Sequence, residues 1–374
     1  MAAKHIVIDA RIINSTTGTY VERLLHYLQK LDTTNRYTVL IPSADKDFWQ
    51  PTAKNFTVLF ADYDDYSFEE QLGFKTFLDE LKADLVHFCV PQQPVRYKGK
   101  KVTTIHDLTL LRVYNSDKNY FIFKAKQLVG RYVFWKVARD SVAIITPTEY
   151  TKQDLLNFAK IPSSKVHVTY EAADIGQFKP ISYEVPFKRF LINVGRHSDY
   201  KNCVRLAEAH QKLLEKHPDL GLVFVNGPDD SVLANKELFE KRGYKNIHFT
   251  LKNMKGERDY LYGKALAYVT PSLNEGFGLG ALEAMGFGLP VVSSTATCLP
   301  EVSTATCLPE VYADGALYFD PLDVDDMAEK IEQVVSNEKL RKDLIKKGLA
   351  RHKTFSWEKM AKETLEVYQK ALKD

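Results

Sequence analysis

No stretch of this 374-residue chain approaches the roughly 18 consecutive apolar residues that a membrane-spanning helix needs. Cysteine is scarce: Cys89, Cys203, Cys298 and Cys307 have neither metal-ligand nor disulfide-framework spacing, which points to a reducing, cytosolic setting. An excess of one charge is missing as well. The net charge of +3 excludes a generally basic, nucleic-acid-like balance, so any basic function must be local. Asp9 and Arg11 interrupt the apolar run at the start, so Met1 to Ile13 is not expected to act as a signal-peptide core. No Gly-x-Gly-x-x-Gly follows the first strand-like run, which argues against a nicotinamide or flavin dinucleotide. His-Glu-x-x-His, Walker A and Gly-x-Ser-x-Gly runs are absent too.

What is present is ordinary globular composition, 45% hydrophobic and 26% charged, at a length that suits two domains. Strand-like runs at His5–Ile8, Tyr37–Ile41, Phe56–Ala61, Leu85–Phe88, Val102–Ile105 and Ala143–Thr146 alternate with amphipathic stretches. A second alternation takes in Phe190–Val194, Leu222–Val225, Ile247–Thr250, Ala267–Val269 and Pro290–Ser293. All these runs read as buried strands of an α/β, doubly wound architecture. The break near Ile181–Lys188, with Pro180 and Pro186 and no helical period, sets the expected boundary: residues 1–183, then 184–355, with a helical tail at 356–374.

The richest stretch is Thr270-Pro-Ser-Leu-Asn-Glu-Gly-Phe-Gly-Leu-Gly-Ala-Leu-Glu-Ala-Met-Gly286. A strand passes through a glycine turn into a short helix, an arrangement that makes an anion site. The amides of Gly276, Phe277, Gly278 and Leu279 would cradle a diphosphate. Glu275 and Glu283 bracket it, placed to accept hydrogen bonds from sugar or ribose hydroxyls. Spacing alone also allows two solvated surface charges on an ordinary helix. A second strand-to-helix passage, Asn193-Val-Gly-Arg-His-Ser-Asp-Tyr-Lys-Asn202, offers Arg196 as a bidentate fork and Lys201 as a mobile point charge for phosphate.

Asn274-Glu-Gly-Phe-Gly-Leu279, followed by Leu282-Glu-Ala-Met285, resembles the Glu-x7-Glu signature of retaining, GT-B-fold glycosyltransferases of family 4. The Gly195-Arg196…Lys201-Asn202 segment matches as well. The resemblance implies two Rossmann-like domains facing across a cleft, with the last helix returning to the first domain. It implies transfer of a hexose from a nucleoside diphosphate sugar (UDP- or GDP-hexose) to a glycan or lipid-linked acceptor, with retained anomeric configuration and no other cofactor. Glu275 would hold donor-sugar hydroxyls and Glu283 the nucleotide ribose. His106, in Thr104-Ile-His-Asp-Leu108, would lie against the sugar, with Asp107 orienting the backbone or the ring. Gly18 is the remnant of a glycine loop that approaches the donor phosphates, and Thr16 and Thr17 are helix-cap candidates. No metal is implied, since Asp-x-Asp metal sites belong to a different transferase fold; Asp62, Asp64, Asp229 and Asp230 read as acidic surface turns. A nucleotide-binding partner without activity, or a GT-B phosphorylase or epimerase, are the alternatives. Gly280 departs from the family pattern, standing where proline usually starts the helix and so losing preorganisation.

Two further stretches stand out. Asn119–Arg139 carries Lys124, Lys126, Arg131, Lys136 and Arg139 among aromatics and no acidic residue. On a helical wheel Phe121, Ala125, Leu128, Tyr132 and Trp135 share a face flanked by Lys124, Arg131 and Lys136. Such a face suits an anionic membrane boundary, which would make a cytoplasmic protein peripheral on the membrane's inner face. The same pattern also fits a core face with a solvated basic edge. Finally, residues 294–302 and 303–311 are identical nine-residue copies, a tandem duplication expected to extend a surface loop.

Overall fold

The computed structural model describes residues 3–15, 17–65, 67–111, 120–252, 254–295 and 307–373. The chain divides into two compact units. One holds the residues before Ala172, apart from 113–118, together with those from Ser356 onward; the other spans Ala172–Phe355. The change of unit between Glu171 and Ala172 falls upstream of the expected 183/184 boundary, because Ala172 and the proline-rich run after it belong with the second unit.

The first unit contains β1 (His5–Asp9), α1 (Gly18–Leu31), β2 (Arg36–Ile41), β3 (Phe56–Phe60), α2 (Lys75–Leu81), β4 (Leu85–Phe88), β5 (Lys101–Thr104), α3 (Tyr120–Asp140), β6 (Ala143–Thr146), α4 (Glu149–Ala159) and β7 (Val166–Val168). Its strands form one parallel sheet in the order β3-β2-β1-β4-β5-β6-β7, with Val7 of β1 opposite Thr38 on one side and Val86 on the other. Parallel strands covered on both faces require near-continuous apolar runs, and β1, β4 and β6 are buried at every residue. Two sequence-based expectations need correcting. Phe56–Ala61 reads as a buried strand, but β3 is the sheet edge, where Leu59 is 39% and Phe60 51% exposed. Val166–Val168, too short to show a period, adds an unexpected last strand.

The second unit repeats the plan with β8 (Arg189–Val194), α5 (Cys203–Leu213), β9 (Leu220–Val225), α6 (Asp230–Lys241), β10 (Ile247–Phe249), α7 (Gly256–Tyr262), β11 (Ala267–Thr270), α8 (Leu279–Gly286), β12 (Val291–Ser294), α9 (Cys307–Tyr312), β13 (Ala316–Phe319), α10 (Val324–Ser336) and α11 (Glu338–His352). Its parallel sheet has the order β10-β9-β8-β11-β12-β13. Leu206, Leu222, Phe224, Val269, Val292 and Ile331 are part of its continuous core. The order reverses between β8 and β11. In open α/β sheets ligands gather at the carboxyl ends of the strands at such a switch point.

The last helix, α12 (Trp357–Lys373), belongs to the first unit and packs against α1. Met360, Ala361, Thr364, Leu365 and Tyr368 form its buried face. Tyr368 is fully buried and its hydroxyl meets Nδ1 of His87 at 2.5 Å. Among the described residues, no helix is long and apolar enough to cross a membrane.

Candidate active site

The two loops that leave β8 and β11 meet at the switch point of the second unit. Val194 ends β8, and Gly195 then adopts φ +137°, a turn that an L-residue adopts only with strain. It passes to Arg196, which is exposed, and to His197, which is buried. Lys201 closes a short 3-10 turn, after which Asn202 starts α5 in the left-handed conformation. The Asn202 amide is held on the carbonyls of Pro271 at 3.1 Å and Pro321 at 2.8 Å, and the Leu273 N–H donates to Tyr200 O at 2.7 Å. These bonds fasten one loop to the other.

The charged groups complete the junction. Lys201 Nζ lies 2.7 Å from Glu275 Oε1, in a pair that is 25% and 16% exposed. Burial opposes the Lys201 ammonium, yet Glu275 and Tyr200 together hold its pKa above the ordinary value. The sequence pattern assigns these two residues to phosphate and sugar separately; the structure makes them one ion pair. An ammonium has three donors, so this pair leaves Lys201 able to meet a phosphate oxygen as well. Arg196 stands beyond Gly195 and lowers the pKa of Asp229, whose carboxylate is held down first by the Ser231 hydroxyl and the Val232 amide against the opposing effect of burial. That carboxylate accepts from Val232 N at 2.9 Å and caps α6, so the Asp229-Asp230 turn has a structural job. A pocket of about 310 Å³ opens beside this loop, lined by His197, Asp199, Asn202, Arg205 and Asn235 among others, but none of the sequence-identified charged residues faces it.

After Glu275 the chain turns through Gly276, Phe277 and Gly278 into α8. Phe277 is buried, its ring edge-on to Phe355. Gly278 has φ +87°, and a Cβ there would sit 2.0 Å from the Tyr312 hydroxyl, which donates to Gly278 O at 2.6 Å. The helix that begins at Leu279 presents amides with no carbonyl one turn earlier to accept them, the basis of an anion site. Gly280 is explained here as well: a Cβ would meet Tyr268 Oη at 2.6 Å, so Tyr268 occupies the space that a proline ring would need. The lost preorganisation read from sequence is a consequence of that packing.

Glu283 lies further along α8 and meets a residue that the sequence pattern does not reveal. Arg258, on α7, approaches Glu283 Oε2 at 3.3 Å, and the Tyr262 hydroxyl approaches the same oxygen at 3.4 Å. Burial raises the Glu283 carboxyl; Arg258 and Tyr262 oppose that, while Asp259 and Asp174 add to it. Arg258 also reaches Asp259 at 3.3 Å. In Gly256-Glu-Arg-Asp259 the alternating charges look like an ordinary surface helix, so nothing local marks Arg258.

In the first unit, Gly18 opens α1 where a Cβ would fall 1.9 Å from Ile13 O, so glycine lets the turn fold back on its own backbone. Thr17 makes no side-chain cap, contrary to expectation, and Thr16 lies outside the described residues. Beneath this turn Arg11, 6% exposed, bridges Asp9 and Glu70 and lies over the Phe74 ring at 4.1 Å. His106, between β5 and a short turn, has both ring nitrogens engaged: Nδ1 with Glu171 Oε1 at 3.0 Å and Nε2 with Cys89 O at 3.1 Å. Tyr20 meets the ring edge-on at 4.8 Å. Asp107 Oδ1 accepts from Thr109 N at 2.8 Å, so it orients the backbone of the turn rather than the imidazole.

On α3, Leu128, Tyr132 and Trp135 are exposed, at 69%, 53% and 38%. Among the described side chains of the helix Phe134, Val137 and Ala138 are buried, so Leu128, Tyr132 and Trp135 do not lie on its core face. The Arg131 guanidinium stacks over Phe158 at 5.3 Å, and Lys136 is neutralised by Asp140 at 2.6 Å. The side chains of Phe121 and Ala125, and all of Asn119, lie outside the described residues. The duplication is described only in part. The second copy supplies α9, with Cys307, Leu308 and Val311 buried and Cys307 Sγ donating to Glu275 O at 3.0 Å. Of the first copy only Ser294 and Thr295 are described, and 296–306 lie outside.

Residues 177–351 match the family model described as glycosyl transferases group 1, and residues 17–177 match that of glycosyltransferase family 4. The chain is similar to O-antigen chain mannosyltransferase B of Escherichia coli, 28% identical over 72% of this chain and 70% of that protein. It is also similar to the MMP alpha-(1->4)-mannosyltransferase of Mycolicibacterium hassiacum, 29% identical over 63% of this chain and 56% of that one. Among solved structures, sucrose-phosphate synthase from Thermosynechococcus elongatus superposes with a TM-score of 0.77 at 16% identity, covering 98% of both chains. HepE of Anabaena, solved in complex with UDP and glucose, does so with a TM-score of 0.73 at 15% identity, over 98% of this chain and 100% of that one.

Proposed function

Because the chain belongs to the group 1, family 4 glycosyltransferases, we propose that it moves a hexose from a nucleoside diphosphate sugar to a glycan or lipid-linked acceptor with retention of anomeric configuration. The observation that carries this reading is the junction of Lys201, Glu275 and the α8 N-terminus at the switch point of the second unit. Arg196, Lys201 and the amides of Gly276, Phe277, Gly278 and Leu279 take the diphosphate and stabilise the charge that develops as it leaves. Glu275 holds hydroxyls of the donor sugar, and Glu283 the ribose. Since the charge is met by cations and a helix terminus, no metal is needed. Two of the relatives are mannosyltransferases by name and HepE was solved with UDP, so UDP- and GDP-linked hexoses, mannose included, are the donors to test.

The test is a thermal shift with UDP, GDP, ADP and their hexose conjugates, with and without EDTA. A ligand at 100 times its dissociation constant stabilises the fold by about 2.7 kcal/mol. One nucleotide class should give a shift that EDTA leaves unchanged; no shift with any of them refutes the proposal. Glu283→Gln adds a sharper expectation. A carboxyl whose folded-state pKa is raised above its unfolded value lowers stability as pH rises past the latter, and glutamine removes that effect while Arg258 keeps Asp259. The unliganded variant should therefore melt at the same temperature or higher at neutral pH, yet bind nucleotide about tenfold more weakly, one charged hydrogen bond being worth about 1.5–3 kcal/mol. Unchanged affinity removes Glu283 from the ribose.

For the acceptor we propose that α3 rests on an anionic membrane surface, its exposed Leu128, Tyr132 and Trp135 entering the interface beside Lys124 and Arg131. Each cation near such a surface contributes about 1 kcal/mol. Lys124→Glu with Arg131→Glu should abolish sedimentation with phosphatidylserine vesicles, whereas Lys136→Glu, at a site already neutralised by Asp140, should change it little. Equal binding by the double variant rules the surface out.

A further inference from the structure

Glu283 stands where a carboxyl is discouraged from ionising. Tyr262 beside it is buried, and Asp259 and Asp174 place further negative charge nearby. In such surroundings a carboxyl takes up a proton unless a cation or a hydrogen bond holds the charged form. Arg258 supplies the cation: its Nη1 lies 3.3 Å from Glu283 Oε2, in a pair whose side chains are 23% and 19% exposed. The same guanidinium meets Asp259 through Nη2 at 3.3 Å, so one positive charge serves two carboxylates. Both contacts are longer than the roughly 2.7–2.9 Å of a tight charged hydrogen bond, so Arg258 acts on Glu283 chiefly through its charge. Tyr262 adds a hydroxyl 3.4 Å from the same oxygen, and burial keeps that phenol protonated. Tyr268, on β11, is held protonated by burial as well. His352 of α11, packed at Gly286, is bonded to the Ala173 carbonyl at 2.9 Å. Burial raises the Glu283 carboxyl most; Arg258 is the strongest opposing group, Tyr262 the next, and Asp259 and Asp174 side with burial.

The second unit by itself places this pair at the candidate site. Glu283 lies about one turn along α8 from Leu279, where the helix begins. The Tyr262 hydroxyl is 3.4 Å from both Glu283 Oε2 and the Gly280 carbonyl, which ties the carboxylate to the first turn of that helix. The Tyr268 phenol is subject to the charges of Lys201, Glu275 and Glu283 alike, so it links this pair to the junction of the two loops. We propose that Arg258 is a positioning residue of the nucleotide site: it keeps Glu283 a carboxylate, with Oε2 turned to the guanidinium and the second oxygen left to accept from ribose hydroxyls. This inference rests on reading the site as one for a nucleotide sugar, with Glu283 on the ribose. A carboxylate accepts through both oxygens, whereas a protonated carboxyl brings a donor of its own. Ribose offers adjacent hydroxyls that donate, so the ionised form is the one that reads it. Arg258 thereby sets how much the ribose, rather than the diphosphate, contributes to affinity.

The test compares UDP and GDP with their 2′,3′-dideoxy counterparts by isothermal titration calorimetry at a series of pH values on both sides of neutrality. The ratio of the two affinities cancels the titration of the diphosphate, which both ligands share. At neutral pH wild-type protein should bind the ribonucleotide about tenfold or more tightly than the dideoxy form, as expected for a hydrogen bond to a charged group. Arg258→Met should cut that ratio about fivefold or more and leave the dideoxy affinity within about twofold. The ratio is full while Glu283 is ionised and falls as pH drops through its folded-state pKa, which lies above the ordinary value. Removing Arg258 raises that pKa further, so the fall should move to higher pH in Arg258→Met. Arg258→Lys, which keeps the charge, should restore both the ratio and its pH profile. If Arg258→Met leaves Asp259 unpaired and fails to fold, Arg258→Met/Asp259→Asn takes its place. The same direction is expected, since Arg258 acts on Glu283 more strongly than Asp259 does. Equal loss for both ligands on removing Arg258, an unchanged ratio, or a lysine variant no better than methionine overturns the positioning role. Wild-type protein that binds ribo- and dideoxynucleotides equally overturns this inference and leaves the nucleotide site standing. Wild-type protein that binds no nucleotide refutes the proposed function and this inference with it.

Discussion

Glu275→Gln is expected to lower kcat by about 10²–10³-fold while nucleotide still binds, since a charge aimed at a developing transition state is worth that much. The variant keeps the size and the backbone of the turn, including the Leu273 N–H to Tyr200 O bond that ties the two loops together. What it loses is the partner of Lys201 at 2.7 Å. Removing one member of a fully buried pair costs about 3–5 kcal/mol, and partial exposure of this pair reduces that to roughly 1–3. A fall in stability therefore accompanies the loss of rate, and the two effects have to be separated. The Lys201→Met/Glu275→Gln double variant does so. With both charges gone, most of the stability should return while kcat stays low, a coupling that thermal melts of the two single variants and the double variant would measure. A Glu275→Gln enzyme with kcat within about tenfold of wild type would take this residue out of the reaction.

Why this residue is legible in sequence, and others are not, has a physical reason. Glu275 sits in a strand-turn-helix passage whose glycines have to be where they are: Gly278 for its positive φ, Gly280 because Tyr268 fills the adjoining space. Constraints that act within a few residues leave a mark in the local sequence, so the alternation of strands and helices can be read in the same way. Arg258, Glu171 and Tyr312 act through distant partners, with Glu283, His106 and Gly278 respectively. Nothing in their own neighbourhood distinguishes them from surface charge or core aromatic. Where a strand lies in its sheet is likewise set from outside its own residues. Phe56–Ala61 reads as a buried strand but forms the edge, with Leu59 and Phe60 facing outward. The duplication is a third case. Two identical segments carry identical local preferences, so the contacts that Cys307 and Leu308 of α9 make with the Glu275 turn and Gly278 cannot be read from the sequence.

Gly278→Ala should be the most destabilising single substitution at this site. A non-glycine residue at φ +87° costs about 1–2 kcal/mol in backbone strain. The new methyl would also stand 2.0 Å from Tyr312 Oη and 2.8 Å from a Leu308 methyl, both in a packed interior, and overpacking of that kind adds about 1–3 kcal/mol. Pushing Tyr312 aside breaks its 2.6 Å bond to the Gly278 carbonyl, a further loss of about 0.5–1.5 kcal/mol. The sum, about 2.5–6.5 kcal/mol, corresponds to a fall in Tm of roughly 5–25 °C for a unit of this size. Because the strain falls on the residue just before the first amides of α8, nucleotide affinity should fall with stability. Tyr312→Phe separates the contributions. Alone it loses only the hydrogen bond, and combined with Gly278→Ala it removes the nearest clashing atom, leaving the ring carbon at 3.0 Å. The double variant should therefore melt above Gly278→Ala, a non-additivity visible in differential scanning calorimetry of the four proteins. Additive losses would mean that Tyr312 does not hold the turn, and a Gly278→Ala protein as stable as wild type would mean that the left-handed turn into α8 does not exist.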